Sequence, residues 1–343
     1  IALHLSNLLC VSEHLPVREH AGRSLVNIAN MLKVEECNEI VVDLLRELEI
    51  GQGEVARFIS PCVGRLICRL PKKEYDECID ELDMLVRGAN VHSACTALQT
   101  LSVVLYTHAI NDGAAFDPEA ASRIIGLIFT GIAHYDDTIH SVALAVLCRD
   151  FFENSFVPEE AKRRLLPVIA KKLGTLLAEH RDDKLVFFNR AAMLNYLYRF
   201  VTRSEVNFGN FAFSREKPAA FFPGTFDPFS SGHKQIVQEI RDRGFEVYLA
   251  VDEFSWSKRT LPHRLRRQIV SMSTADSMDV FVFPETIPIN IANPLDLKRL
   301  ISLFPNREVY IVAGSDVIKN ASAYRQSIAG GAAEYNHIVF LRD

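Results

Sequence analysis

Apolar positions recur at helical spacing almost without interruption from Leu15 to about Thr202, and from Pro218 the pattern switches to short apolar runs alternating with amphipathic stretches. In the first half, Pro16 opens a segment whose apolar residues Val17, Ala21, Leu25, Ile28 and Leu32 share one helical face, with proline in a first turn where its missing N–H costs nothing. The same spacing predicts helices over 36–48, 55–70, 75–87, 91–108, 119–133, 138–152, 159–180 and 184–201. The connections, such as Gly51-Gln52-Gly53 and Asn111-Asp112-Gly113, are short and polar, which favours antiparallel neighbours. Between Arg203 and Lys217 the periodicity is lost. Beyond it, strands are expected over 219–222, 246–251, 280–283, 309–312 and 337–341, with helices starting near His233 and over 263–272 and 294–304. Apolar strands alternating with helices imply a doubly wound parallel sheet whose ligands sit at the strands' C-terminal edge.

The fold class is therefore multidomain, α followed by α/β: a helical-repeat domain over 1–205, a linker over 206–217 and a Rossmann-like α/β domain over 218–343. Similar helix openings recur at Pro16-Val17-Arg18, Asn90-Val91-His92, Asp137-Thr138-Ile139 and Asp183-Lys184-Leu185, at intervals of roughly 46 residues or a multiple of 37. This pattern resembles a HEAT or armadillo-like array, with an irregular helical bundle as the alternative. Such arrays are scaffolds, so a protein partner is expected on the helical surface.

Composition narrows the classes. With 48% hydrophobic and 24% charged residues and a net charge of -5, the chain reads as an ordinary globular protein without a basic nucleic-acid surface. The apolar opening over 1–11 is about half the length a membrane span needs and has no basic n-region or cleavage site, so neither a membrane partner nor a signal peptide is expected. All seven cysteines, from Cys10 to Cys148, precede position 149 and form no CxxC pair, which suits buried free thiols in the cytoplasm. His14, His20, His92, His134 and His140 make no metal-like cluster, and no metal site is expected from side chains.

Candidate chemistry gathers around residues 219–240. A strand, a glycine turn and a helix beginning near His233 would aim backbone N–H groups and the positive end of a helix dipole at a ligand above the strand, an arrangement suited to phosphate. A second loop carries Trp256, Lys258 and Arg259, followed on the next helix by Arg264, Arg266 and Arg267, cations that could offset several phosphates. A third loop, Gly314-Ser315-Asp316 and then Tyr324, follows the fourth strand.

Gly224-Thr225-Phe226-Asp227-Pro228, then three residues, then Gly232-His233 resembles the signature of the HxGH/TxGH nucleotidyltransferases, nicotinate-nucleotide adenylyltransferases in particular. The resemblance covers about 125 residues, from Ala219 onward. It implies transfer of AMP from ATP to a mononucleotide such as nicotinate mononucleotide, with release of pyrophosphate and without a covalent intermediate. On this resemblance His233, Lys258 and Ser230 are the catalytic candidates. Gly224, Thr225, Phe226, Asp227, Gly232, Arg267, Gly314 and Asp316 would bind the nucleotide, and Trp256 and Tyr324 the acceptor. Lys258, Arg259 and Arg267 resemble the basic residues of pantetheine-phosphate adenylyltransferases, whereas His263-Arg264-Leu265 resembles the nicotinate-nucleotide enzymes, so Arg264 and Arg267 both stay open. Magnesium would enter with ATP, held mostly through water; the expected partners are ATP and a phosphorylated small-molecule acceptor.

Two features depart from the family. Ser230 stands where it has His or Thr, and the late serine-threonine-arginine stretch is missing. Opening at Ile1 and stopping at Asp343, the sequence reads as a piece of a longer protein, with an α/β domain incomplete at its C-terminus. A nucleotide-binding regulatory module without turnover, and adenylyl or cytidylyl transfer to another phosphorylated acceptor, are the alternatives.

Overall fold

The computed structural model describes residues 1–50, 53–178, 184–213, 216–252, 260–321, 324 and 329–341. The chain divides into two compact units, one of Ile1–Leu173 with Leu177–Ala212, the other of Gly174–Leu176 with Phe213–Asp343. In the first run helices α1 (Ala2–Val11), α2 (Leu15–Ile28), α3 (Val34–Ile50), α4 (Gly53–Ile67), α5 (Lys72–Arg87), α6 (Val91–Asp112), α7 (Ser122–Ala133), α8 (Asp137–Cys148), α9 (Glu159–Ala178) and α10 (Lys184–Phe208). Helix starts follow local chemistry. Asn90 accepts from the amides of His92 and Ser93, and Asp136 from those of Thr138 and Ile139, which satisfies donors the first turn leaves open.

The even-numbered helices pack in succession, α2 on α4, α4 on α6, α6 on α8 and α8 on α10, while α1, α3, α5 and α7 pack in a second succession. Helix α6 lies between α4, α5, α7 and α8 and is buried on several sides, where the hydroxyls of Ser93, Thr96, Thr100 and Ser102 donate to backbone carbonyls. Two elements differ most from the sequence pattern. The opening 1–11 is a helix that buries Leu9 against α2 and α3, a stretch too short to stand out by periodicity. Helix α10 continues past 201 to Phe208, because Arg163 collects its C-terminal carbonyls. That guanidinium donates to the Ser204, Gly209 and Asn210 carbonyls and stacks over Phe208 and Phe211. Among the described residues no helix is long and apolar enough to cross a membrane.

The second unit alternates β1 (Ala219–Gly224), α11 (Ser231–Asp242), β2 (Glu246–Val251), α12 (His263–Thr274), β3 (Val280–Val282), α13 (Pro294–Ser302), β4 (Val309–Gly314), α14 (Ser315–Asn320) and β5 (Asn336–Phe340). All pairings are parallel and the order is β3-β2-β1-β4-β5. The two-residue period of a strand sorts the core. Ala220, Phe222, Val247, Leu249, Val280 and Val312 pack under α11 and α12 through Val237, Ile240 and Val270. Ala219, Phe221, Tyr248, Phe281 and Val309 face the other way, toward Leu300 of α13 and Phe304. At the N-terminal end of the sheet, Arg307 pairs with Glu246 at 2.7 Å and donates to the Lys217 carbonyl at 2.7 Å.

The chain order winds outward from β1 to β3, then crosses to β4, so the direction reverses between β1 and β4. These two strands also part there. Their pairing ends at Phe221 and Ile311, whereas β1 stays paired with β2 through Gly224 and Val251. Pro223 and Gly224 thus extend the strand instead of ending it at Phe222. The Ala219 amide donates to the Glu308 carbonyl on the β4 side, so by alternation the nitrogen of Pro223 faces that side too, where no ladder needs its proton.

Candidate active site

The segment after β1 turns sharply before α11. Phe226 adopts a φ of 44°, a left-handed conformation that costs a bulky side chain roughly 1 kcal/mol or more. Packing offsets it: the ring is 2% exposed and meets Phe222, Phe229 and His233 with centroids 5.3, 5.6 and 5.3 Å away. Gly224 makes room for that ring, since a Cβ there would lie 3.0 Å from its tip. Asp227 reaches away from the turn and accepts from the Leu261 amide at 3.0 Å.

Ser230 is the N-cap of α11 and His233 its third residue, and the two form a capping box. The Ser230 amide donates to His233 Nδ1 at 3.0 Å, and the Ser230 hydroxyl lies 2.9 Å from the same nitrogen. With Nδ1 accepting from the amide, the proton of the neutral ring sits on Nε2. Phe229 stacks on the imidazole with centroids 5.6 Å apart. Position, tautomer and ring plane of His233 are thus set by Ser230, Phe226 and Phe229, all on the same turn.

A cleft of about 1740 Å³ opens over the C-terminal ends of the strands. Gly224, Thr225, Phe226, Asp227, Ser230, Gly232, His233, Arg267 and Gly314 all line it. Arg267 also donates to the Phe283 carbonyl at 2.6 Å, bracing α12 against the end of β3. Gly314 ends β4 as the N-cap of α14. A Cβ at this position would fall 2.3 Å from Asp316 Oδ1, so the side chain of Asp316 can fold over the backbone only at a glycine.

Other candidates stand apart from this lining. Asp316 stands in the first turn of α14, beyond the N-cap, and lies outside the cleft lining among the described residues. Tyr324 likewise lies outside that lining: it packs beside Leu297, Ile311 and Ala332, and its hydroxyl is 2.9 Å from His337 Nε2. Burial pushes its phenol up to about 12. Arg264 and Arg266 part company with Arg267, for the cleft lining includes only the last of the three. Lys258 and Trp256 fall outside the described residues, as does Arg259.

Sequence reasoning passed over several cleft residues. Arg243 and Arg299 add cations, Glu239, Asp252, Glu285 and Asp296 add carboxylates, and the stretch from Phe283 to Ala292 supplies an apolar wall. His263 joins β2 to this wall, its Nε2 3.1 Å from the Val251 carbonyl and its Nδ1 3.8 Å from Glu285. Arg266 was legible only as one more basic residue, yet it is fully buried. Its signal was the spacing Arg266, Val270, Thr274, which puts it on the core face of α12.

No curated protein and no solved structure matches the chain. Residues 221–339 match the family model described as cytidylyltransferase-like, which supports the nucleotidyltransferase superfamily, and nucleotidyl transfer in general, for the α/β unit.

Proposed function

We propose that the α/β unit transfers a nucleotidyl group, AMP from ATP in the first instance, to a phosphorylated small molecule such as nicotinate mononucleotide. The observation that carries this reading is His233, locked by Ser230 at the start of α11 and facing the cleft where β1 parts from β4. In such a reaction an acceptor phosphate oxygen forms a bond to the α-phosphorus, the bond to the bridging oxygen breaks, and pyrophosphate leaves with its electron pair. The protein's share is alignment and charge stabilisation. His233 would donate from Nε2 to a phosphate oxygen, with Lys258 and Arg267 as further cations. The turn from Gly224 to Gly232 would hold the nucleotide, with Ser230 holding the histidine in place. Trp256 and Tyr324, proposed from the resemblance, would bear on the acceptor.

Among the described residues five carboxylates and three arginines line the cleft, a balance in which a triphosphate gains from a cation of its own. Magnesium arriving with ATP fits this donor set. Asp227 and Asp252 could meet its water shell, and the ion would neutralise phosphate charge.

The test is calorimetric titration with magnesium and ATP or CTP, beside pyrophosphate release over nicotinate mononucleotide, phosphopantetheine and a phosphorylated alcohol. Binding with turnover over one acceptor supports the reading. Binding without turnover over any of them points to the second reading, a regulatory nucleotide-binding module, and no binding overturns both. CTP is included because the matching family model is cytidylyltransferase-like.

For the helical unit we propose a HEAT-like scaffold that takes a protein partner. The two successions of helices, alternate in sequence, support it. The seven cysteines are free, which supports a reducing compartment such as the cytoplasm.

A further inference from the structure

We propose that Arg266 is a positioning residue for nucleotide binding, a buried guanidinium that fixes the turn after β1 against the segment leading into α12. The proposal rests on the reading of the cleft as a nucleotide site. A helix rich in arginine beside a phosphate pocket would ordinarily send its cations to the ligand. Arg266 does otherwise: it is 0% exposed and stands in the stripe of Val270 and Thr274, where an apolar residue would be the simple choice. Burying a charge there is costly unless hydrogen bonds replace its hydration.

They come from three separate stretches of chain. Nε donates to the Leu261 carbonyl at 2.9 Å, Nη2 to the Asp252 carbonyl at 2.8 Å, and Nη1 to the Thr225 carbonyl. The backbone of Leu261 is held at its other polar group as well, because its amide donates to Asp227 Oδ2 at 3.0 Å. Thr225 and Asp227, two residues of the signature turn, are therefore tied to one residue, Leu261, through a guanidinium and a carboxylate. A planar fork with donors in fixed directions can satisfy carbonyls on three segments at once; a lysine ammonium cannot cover the same spread. The turn running from Gly224 to His233 is held before any ligand arrives, so binding need not spend energy on ordering it.

The experiment uses the full chain and its Arg266→Met and Arg266→Lys variants. Each is titrated with magnesium-ATP by calorimetry well below its melting temperature, and backbone hydrogen exchange is followed over 224–229 and 260–262. The Met variant is expected to bind ATP about tenfold more weakly and to exchange faster in both segments while β4 is unchanged, with the Lys variant in between. A residue that merely stabilises the fold would lower the melting temperature and leave this affinity alone. A folded Met variant with unchanged affinity, or unchanged exchange at both segments, overturns the proposal. Should the Met variant not fold, the same comparison on the Lys variant decides it. Failure of the unaltered protein to bind ATP would overturn the nucleotide reading and the binding role with it, while the exchange data would still decide whether Arg266 clamps the turn.

Discussion

The backbone amide of Ser230 donates to Nδ1 of His233, and the side chain of Ser230 approaches the same nitrogen at 2.9 Å. One residue thus fixes both the helix start and the tautomer of the imidazole. His233→Ala should lower pyrophosphate release by about 100-fold or more, the usual effect of losing one preorganised donor to a transition state. Ser230→Ala should cost roughly 1 kcal/mol of stability as a lost cap. Its rate should fall less than that of His233→Ala, since the amide contact survives, and Ser230→Thr should stay close to the parent. A His233→Ala enzyme with full activity would remove the histidine from the mechanism.

Gly314 faces a side chain instead of a vacancy. Gly314→Ala should turn the Asp316 carboxylate out of its place and destabilise the protein by about 1 kcal/mol, because the new methyl would overlap Asp316 Oδ1. Shortening the neighbour in Gly314→Ala/Asp316→Ala should recover part of that loss. Urea unfolding of both variants checks it, and equal midpoints for the single and double variants would refute the overlap.

His108 gives stability a pH dependence. Its ring is half-buried beside Tyr75, whose hydroxyl is 3.1 Å from Nε2, and burial holds its pKa below the ordinary 6.5. The unfolded chain then binds the proton more readily than the folded one. The stabilisation is complete above the unfolded pKa and is lost as pH falls toward the folded value. Between about pH 7.5 and pH 5.5 the melting temperature should drop more steeply for the parent than for His108→Gln, by thermal melts in matched buffers. Parallel slopes would show that His108 does not titrate in that window.

Arg163 fastens the end of α10 to α9, so Arg163→Ala should free the stretch around Gly209 to Phe211. Limited proteolysis should cut there on the order of tenfold faster, with the helical unit otherwise intact. An unchanged cleavage rate would mean that the Phe211 to Phe200 contact, at 6.0 Å between centroids, suffices alone.

Much of the α/β unit was legible because strand and helix periods differ so clearly: β2 spans 246–251 as its apolar run indicates, and Gly244, with φ of 86°, ends α11 where a glycine stop suggests. Part of the signature turn was legible too, since Gly224 and His233 are held by neighbours on the turn itself, whereas Asp227 finds its partner at Leu261. Arg266 was not, because a charged residue earns a core position only through carbonyls distant in sequence. Tyr324 shows a different limit. Its spacing from Asp316 suggested a stacking platform, but its partner His337 lies on β5, a contact that spacing along one segment cannot reveal. The reach of α10 past 201 was hidden for the same reason, as the side chain that stabilises its end comes from α9.

Pro223 gives the cleft its permanence. Had any other residue stood there, its amide proton would have been offered to β4, and the two strands could have gone on zipping toward Ala313. An imino acid is a stop in that zipper. The opening between the central strands is thus written into the backbone chemistry of one position, and it does not depend on a ligand to wedge the strands apart. Pro223→Ala should make the mouth of the cleft narrower and the sheet longer, a gain in regular structure obtained at the expense of the space where a nucleotide would lie.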